Sequence, residues 1–130
     1  MPRRMGLAKG DLVLEVGHDG DCDSTLRDQL MSITETIFFA GTTNEVVDAV
    51  ILWWRDSDGD LVDGLMDVLT FLTEHGSIWV MTPKAGRAGH VEPSEIQDAA
   101  LIAGLSQTST IALATDWSAT HLVARKSSKR

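Results

Sequence analysis

Apolar residues in this chain gather into short blocks separated by acidic, glycine-containing stretches. The longest block is Val46–Trp54, VVDAVILWW, interrupted only by Asp48. A run this rich in β-branched and aromatic residues is expected of a strand covered by helices on both faces. It gives way at once to Arg55-Asp56-Ser57-Asp58-Gly59-Asp60, a polar loop suited to starting a helix, with Asp58 as the expected N-cap. Leu61, Leu65, Leu69 and Leu72 then recur at helical spacing, flanked by Val62, Met66 and Val68. They predict a helix ending near His75-Gly76.

Upstream, Asp11–Gly17 (DLVLEVG) predicts a first strand and His18–Asp23 a turn. Asp23 or Ser24 caps a helix to about Ile33, with Leu26, Leu30 and Ile33 on one face. Thr36–Ala40 (TIFFA) reads as a short edge strand and Gly41–Glu45 as a loop. Downstream, Ser77–Met81 predicts a third strand, and Thr82–Glu92 a loop punctuated by Gly and Pro. Pro93 suits the first position of the next helix, where a missing N–H costs nothing. That helix closes at Gly104, with Ile96, Ala99, Ala100 and Ala103 facing in. Thr108–Thr115 and Thr120–Ala124 predict two antiparallel strands around Asp116-Trp117-Ser118. Strands alternating with helices imply βαβ units. The expected class is therefore a small, doubly wound α/β domain, with a mostly parallel, Rossmann-like sheet and an antiparallel last hairpin.

At 130 residues the chain is expected to form one domain with a core sufficient to need no disulfide or metal. The net charge of −8 conceals an uneven layout. A basic arm, residues 1–10, carries Arg3, Arg4 and Lys9; a basic tail, residues 125–130, carries Arg125, Lys126, Lys129 and Arg130. The α/β domain, 11–124, holds all 19 acids beside Arg27, Arg55, Lys84 and Arg87. Such a body repels nucleic-acid backbones and favours cations or basic partners, so nucleic acid is not an expected partner. The single Cys22 and the lack of a leading apolar segment or a bilayer-length run point to a soluble, cytoplasmic protein without a membrane role.

Several stretches carry a family likeness. LVLEVG at Leu12–Gly17 resembles the first motif of class I methyltransferases, an apolar strand ending in an acid and Gly. AVILWW at Ala49–Trp54 is placed like their fourth strand, and EHGSIWVMTP at Glu74–Pro83 resembles their later glycine-then-strand motif. AALIAGL at Ala99–Leu105 and the closing hairpin are similar to that family's C-terminal end. The resemblance implies the C-terminal half of a methyltransferase-like fold. It departs where the cofactor loop wants three alternating glycines: Gly17 is followed by Asp19 and Asp21, carboxylates that repel the carboxylate of S-adenosylmethionine. Only about thirty residues separate Gly17 from the central strand, little room for the strands that hold ribose and adenine. No cofactor is therefore expected. More specifically, Val46–Leu65, Trp79–Ile96, Ala103–Lys126 and Leu12–Leu30 resemble the actinobacterial domain-of-unknown-function 3052 family, a likeness that brings no activity with it.

Ligands of open α/β sheets bind beyond the carboxyl ends of the strands, where three loops are expected to meet. The candidate cleft comprises Gly17, His18, Asp19 and Asp21 from the first loop, Asp56 from the second, and Lys84, Arg87 and His90 from the third. Helix capping explains most of these acids without a ligand, with Lys84 and Arg87 neutralising them. Asp56–Asp60 does not make a calcium loop, because Leu61 stands where the turn glycine belongs and Asp67 where the final Glu belongs. His18, His75, His90 and His121 lack metal-ligand spacing, so no metal is expected. Cys22 near a helix start is flanked by acids that oppose thiolate formation. No catalytic set is assigned. Trp53 and Trp54 are expected on opposite faces of their strand. Phe38 and Phe39, on the strand bordering the first, mark an edge expected to pair in a homodimer. The leading functional expectation is a non-catalytic binding or regulatory module, acting as a dimer or through a protein partner. The alternative is a small-molecule-binding enzyme or sensor of methyltransferase type using the cleft.

Overall fold

Residues 7–18, 20, 22, 24–40, 43, 45–112 and 116–124 are described by a computed structural model. Among them, six strands form one sheet in the order β2-β1-β3-β4-β6-β5. The strands are β1 (Val13–Val16), β2 (Phe39–Ala40), β3 (Val47–Trp53), β4 (Leu72–Pro83), β5 (Leu105–Ala112) and β6 (Trp117–Ala124). Three helices connect them: α1 (Ser24–Thr34), α2 (Leu61–Leu69) and α3 (Pro93–Ile102). β2, β1, β3 and β4 run parallel, while β6 is antiparallel to both β4 and β5. The expected α/β class and the antiparallel end are both present.

β3 is an inner strand, and every one of its residues except Asp48 is buried. Its side chains alternate between two cores. Val50 and Leu52 pack under α2 and α3 with Leu65, Val68, Ile96 and Ala100. Ala49, Ile51 and Trp53 pack on the other side with Leu26 and Leu30 of α1. Trp53 and the half-buried Trp54 accordingly fall in different cores. Asp48 turns outward and accepts a hydrogen bond from the Leu12 N–H at 2.8 Å, tying the start of β3 to the entry of β1.

Several boundaries differ from the sequence reading. α2 ends at Leu69, not near His75-Gly76, and Leu72 opens β4 instead of closing the leucine stripe. Thr70 stops the helix as its C-cap, its hydroxyl donating to the Asp67 carbonyl at 2.9 Å. The Val47 N–H then takes the Phe71 carbonyl at 2.7 Å, drawing the chain into the sheet. β4 begins irregularly, since Val47 pairs with Leu72 but Ala49 pairs with Ser77. The N-cap of α2 is Asp60, which accepts from the Val62 N–H, not Asp58, which belongs to a short 3-10 turn at Asp56–Asp58. The closing strands also begin earlier than expected, at Leu105 and Trp117.

β2 borders β1 at the sheet edge, as expected of TIFFA, but comprises only Phe39 and Ala40. Phe38 faces inward into the α1-side core and is buried, while Phe39 is half-buried. Of the two residues assigned to a dimer edge, Phe38 is thus a core residue.

Candidate functional site

The chain leaves β1 toward β2 on one side and returns to β3 on the other, so the sheet order reverses between β1 and β3. Such a switch point leaves a crevice beyond the strand ends where doubly wound folds take their ligands. Gly17 follows β1 there with φ +82°, and a Cβ on it would lie 2.4 Å from the Trp53 carbonyl oxygen. Only glycine allows the two strand ends to approach this closely.

The crevice is occupied by Arg55. Its Nη1 donates to the Gly17 carbonyl at 2.8 Å and lies 3.3 Å from Asp58 Oδ2. Nη2 donates to Cys22 Sγ at 3.0 Å. The guanidinium carbon stands 5.4 Å from the centre of the Trp117 ring, within cation–π range. Asp58 Oδ2 also accepts the Arg55 N–H at 2.8 Å, so one carboxylate fixes both ends of the arginine. The side chain is only 13% exposed. Arg55 is the residue that sequence reasoning missed. Its only signal was position, as the first polar residue after the central strand and a cation among acids.

Beneath it, Glu15 of β1 is buried and spoken for. Arg27 Nε donates to Oε1 at 3.0 Å, and Trp53 Nε1 donates to Oε2 at 2.9 Å. His18 stands edge-on to Trp53, ring centres 6.0 Å apart, and its buried Nε2 has no hydrogen-bond partner among the described residues. Asp19 and Asp21 lie outside the described residues.

The third loop turns on itself. His90 Nδ1 is 2.8 Å from the Pro83 carbonyl, and Nε2 is 3.0 Å from Glu92 Oε2. Arg87 pairs with Asp116 at 2.6 Å and so does not neutralise the first two loops. The Lys84 N–H takes the Asp116 carbonyl. Asp56 joins this loop through its backbone, its N–H donating to Gly89 O at 2.9 Å. Gly17 is thus linked to the second loop by Arg55, while His18 meets Trp53 at the end of β3. Asp56 meets the third loop by backbone alone, and Lys84, Arg87 and His90 serve their own turn and the hairpin.

Two hollows open on the other flank of the second loop, either side of Trp54. One, of about 280 Å³, is lined by Trp54, Asp56, Asp60, Val62, Glu95, Asp98 and Ile102 among others. The second, of about 350 Å³, is bounded by Val16, Leu52, Trp54 and the carboxylates Asp58, Asp60, Asp63 and Asp67. No cluster of three His, Cys, Asp or Glu among the described residues could hold a metal ion. No helix there is long and apolar enough to cross a membrane.

His121, on β6, lies outside this region. Its ring stacks 4.5 Å from that of Trp79, and Thr108 Oγ1 is 2.6 Å from Nδ1. Burial lowers its pKa from 6.5, because the charged form loses hydration. The unfolded chain therefore binds more protons just below that value, and stability falls as pH drops from about 6.5 through the folded-state pKa. His121→Gln is expected to flatten this segment of the stability–pH curve, measured by urea unfolding between pH 7 and pH 5.

The structure resembles methyltransferases. A SAM-dependent methyltransferase from Aquifex aeolicus superposes with a TM-score of 0.70 over 95% of this chain and 89% of that one, at 12% identity. An O-methyltransferase from neocarzinostatin biosynthesis (NcsB1), solved with S-adenosylmethionine and a naphthoic acid, gives a TM-score of 0.66 at 14% identity, over 89% of this chain and 49% of its own. This chain thus spans about half the length of that enzyme. The likeness establishes a methyltransferase-like fold. In sequence, the uncharacterized protein Rv2239c of Mycobacterium tuberculosis is 47% identical over 125 residues, covering 96% of this chain and 78% of that protein. A family model described as protein of unknown function (DUF3052) matches residues 2–126.

Proposed function

Since the chain belongs to the DUF3052 family, whose description assigns no activity, we propose from the site itself that it is a non-catalytic binding module. On this reading it works through protein contacts and takes no S-adenosylmethionine. The observation that carries the proposal is Arg55, whose guanidinium fills the switch point and is held by the Gly17 carbonyl, Cys22, Asp58 and the Trp117 face. A methyl donor seated there would displace those bonds and bring its sulfonium against a guanidinium, two cations in a half-closed site. Its carboxylate would meet a loop carrying Asp19 and Asp21. Glu15, the acid of the methyltransferase-like motif, is already satisfied by Arg27 and Trp53.

With the mouth filled, protein surfaces remain. The β2 edge supports a homodimer, because Ile37 beside it is 86% exposed and β2 has no outer neighbour in the sheet among the described residues. The test is a thermal-unfolding screen of the wild-type chain against S-adenosylmethionine, its demethylated product and nucleotides. Ligand at a hundred times its Kd adds about 2.7 kcal/mol to stability, so a genuine cofactor raises the midpoint visibly. No shift is expected from any of them. A reproducible rise with the methyl donor would overturn the proposal and favour the enzyme or sensor alternative.

A further inference from the structure

We propose that the hollow between α2 and α3 at Trp54 is the docking site for a lysine- and arginine-rich segment of a separate protein, one that carries an aliphatic side chain among its cations. This rests on reading the chain as a protein-binding module and gives that module a place and a partner chemistry.

The shape comes first. The hollow of about 280 Å³ has an apolar lining from Val62, Val91, Ala99 and Ile102, with Trp54 as one wall. Gly64 of α2 fixes that wall, since a Cβ there would lie 2.7 Å from the Trp54 ring. The indole therefore rests directly on the helix backbone, a pre-set aromatic face whose ordering costs nothing on binding. Ile102, on the last turn of α3, is left 71% exposed. An apolar side chain in water on the lip of an apolar hollow is what a docking partner covers.

Charge then selects the partner. Asp56, Asp60, Glu95 and Asp98 line the hollow, and no lysine, arginine or histidine among the described residues does. The adjoining hollow across Trp54 adds Asp58, Asp63 and Asp67. Among the described residues Arg27 pairs with Glu15 and Arg87 with Asp116, away from the hollow, while Arg55 pairs with Asp58 on the wall of the adjoining one. Asp56, Glu95 and Asp98 enter no ion pair among the described residues. A concave, uncompensated negative surface attracts cations and repels phosphate-bearing ligands. A small cation would leave Ile102 and the indole unused. A basic segment uses all of it, with ammonium or guanidinium groups on the carboxylates and over Trp54 and its aliphatic side chain against Ile102 and Val62.

The test measures a fluorescein-labelled peptide of lysine pairs separated by single leucines binding to the full chain by anisotropy, with the site mapped by amide and indole NMR shifts. Glu95→Lys/Asp98→Lys, at two exposed positions, is expected to weaken binding by about ten-fold or more. Asp28→Lys/Glu45→Lys makes the same change in net charge away from the hollow and is expected to alter affinity less than about two-fold. An all-lysine peptide is expected to bind more weakly than the leucine-containing one. Equal losses in both variants would reduce the effect to net charge and overturn the proposal. Shifts confined to the β2 edge or to Arg55 would overturn the docking site while leaving the binding-module reading intact. Sedimentation showing self-association of the wild type that Glu95→Lys/Asp98→Lys abolishes would make the occupant a second copy, which also overturns it. Methyl-donor binding in the thermal screen would defeat the module reading by a separate measurement.

Discussion

Gly17→Ala is expected to destabilise the chain by about 2–5 kcal/mol, read from urea midpoints at unchanged m. Two costs combine. The backbone sits at φ +82°, where an L side chain costs roughly 1–2 kcal/mol. The new Cβ would also lie 2.4 Å from the Trp53 carbonyl oxygen, and that neighbour is backbone at the end of an inner strand, which cannot swing aside. Forcing β1 and β3 apart there costs about 1–3 kcal/mol more, as overpacked cores do. Gly104→Ala separates the two costs. Gly104 has φ +84°, and a Cβ added there would meet nothing within 4 Å, so only the conformational part, about 1–2 kcal/mol, is expected. Equal losses at both positions would mean that the approach of the two strand ends carries no energetic weight. A larger loss at Gly17 ties the stability of the domain to the geometry that seats Arg55, because Arg55 bonds the Gly17 carbonyl and lies 3.4 Å from that of Trp53.

The fold was legible wherever local pattern and burial agree. VVDAVILWW reads as an inner strand because a β-branched run with one outward Asp has few other ways to hide, and Asp48 is its one exposed residue in β3. Pro93 and Leu26/Leu30 marked α3 and α1 by the same agreement between helix periodicity and a start signal. The boundary of α2 was not legible, because Leu72 fits both a helical stripe and the start of a strand. The Val47–Phe71 hydrogen bond and the pairing of Val47 with Leu72 draw it into the sheet, and those are tertiary facts. Phe38 and Phe39 were read together as an edge, yet the two-residue period of a strand sends neighbours to opposite sides, and Phe38 went inward.

The candidate site was legible only in outline. Order reversal between β1 and β3 places Gly17 and the Arg55 loop together, which topology alone foretells. The role of Arg55 depends on Cys22 and Trp117, residues far from it in sequence whose positions follow from α1 and the closing hairpin. No spacing rule could recover that. Glu15 was visible as a motif acid, but the sequence held no sign that Arg27 and Trp53 would consume both its oxygens.

Trp53→Phe is expected to cost about 2.5–5 kcal/mol, the second large effect. Trp53 is 1% exposed, packs edge-on to Trp117 at 4.9 Å between ring centres, and donates Nε1–H to Glu15 at 2.9 Å. Phenylalanine keeps an aromatic ring but loses the donor and part of the volume. The lost donor leaves a buried carboxylate oxygen unsatisfied, costing about 1.5–3 kcal/mol for a charged acceptor. The missing second ring leaves a small cavity worth roughly another 1–2 kcal/mol. In the native geometry Arg27 serves the other oxygen through its Nε. A double-mutant cycle isolates the first part. In a Glu15→Leu background no carboxylate remains to be stranded and the buried indole N–H is itself left unpaired, so Trp53→Phe is expected to cost no more than the cavity, about 1–2 kcal/mol. The same cost in both backgrounds would show that Trp53 acts by packing alone and that the polar floor beneath Arg55 is incidental. A cost that collapses when Glu15 is removed makes Trp53 and Glu15 one coupled unit, tying the end of β3 to β1 beside the filled mouth of the sheet.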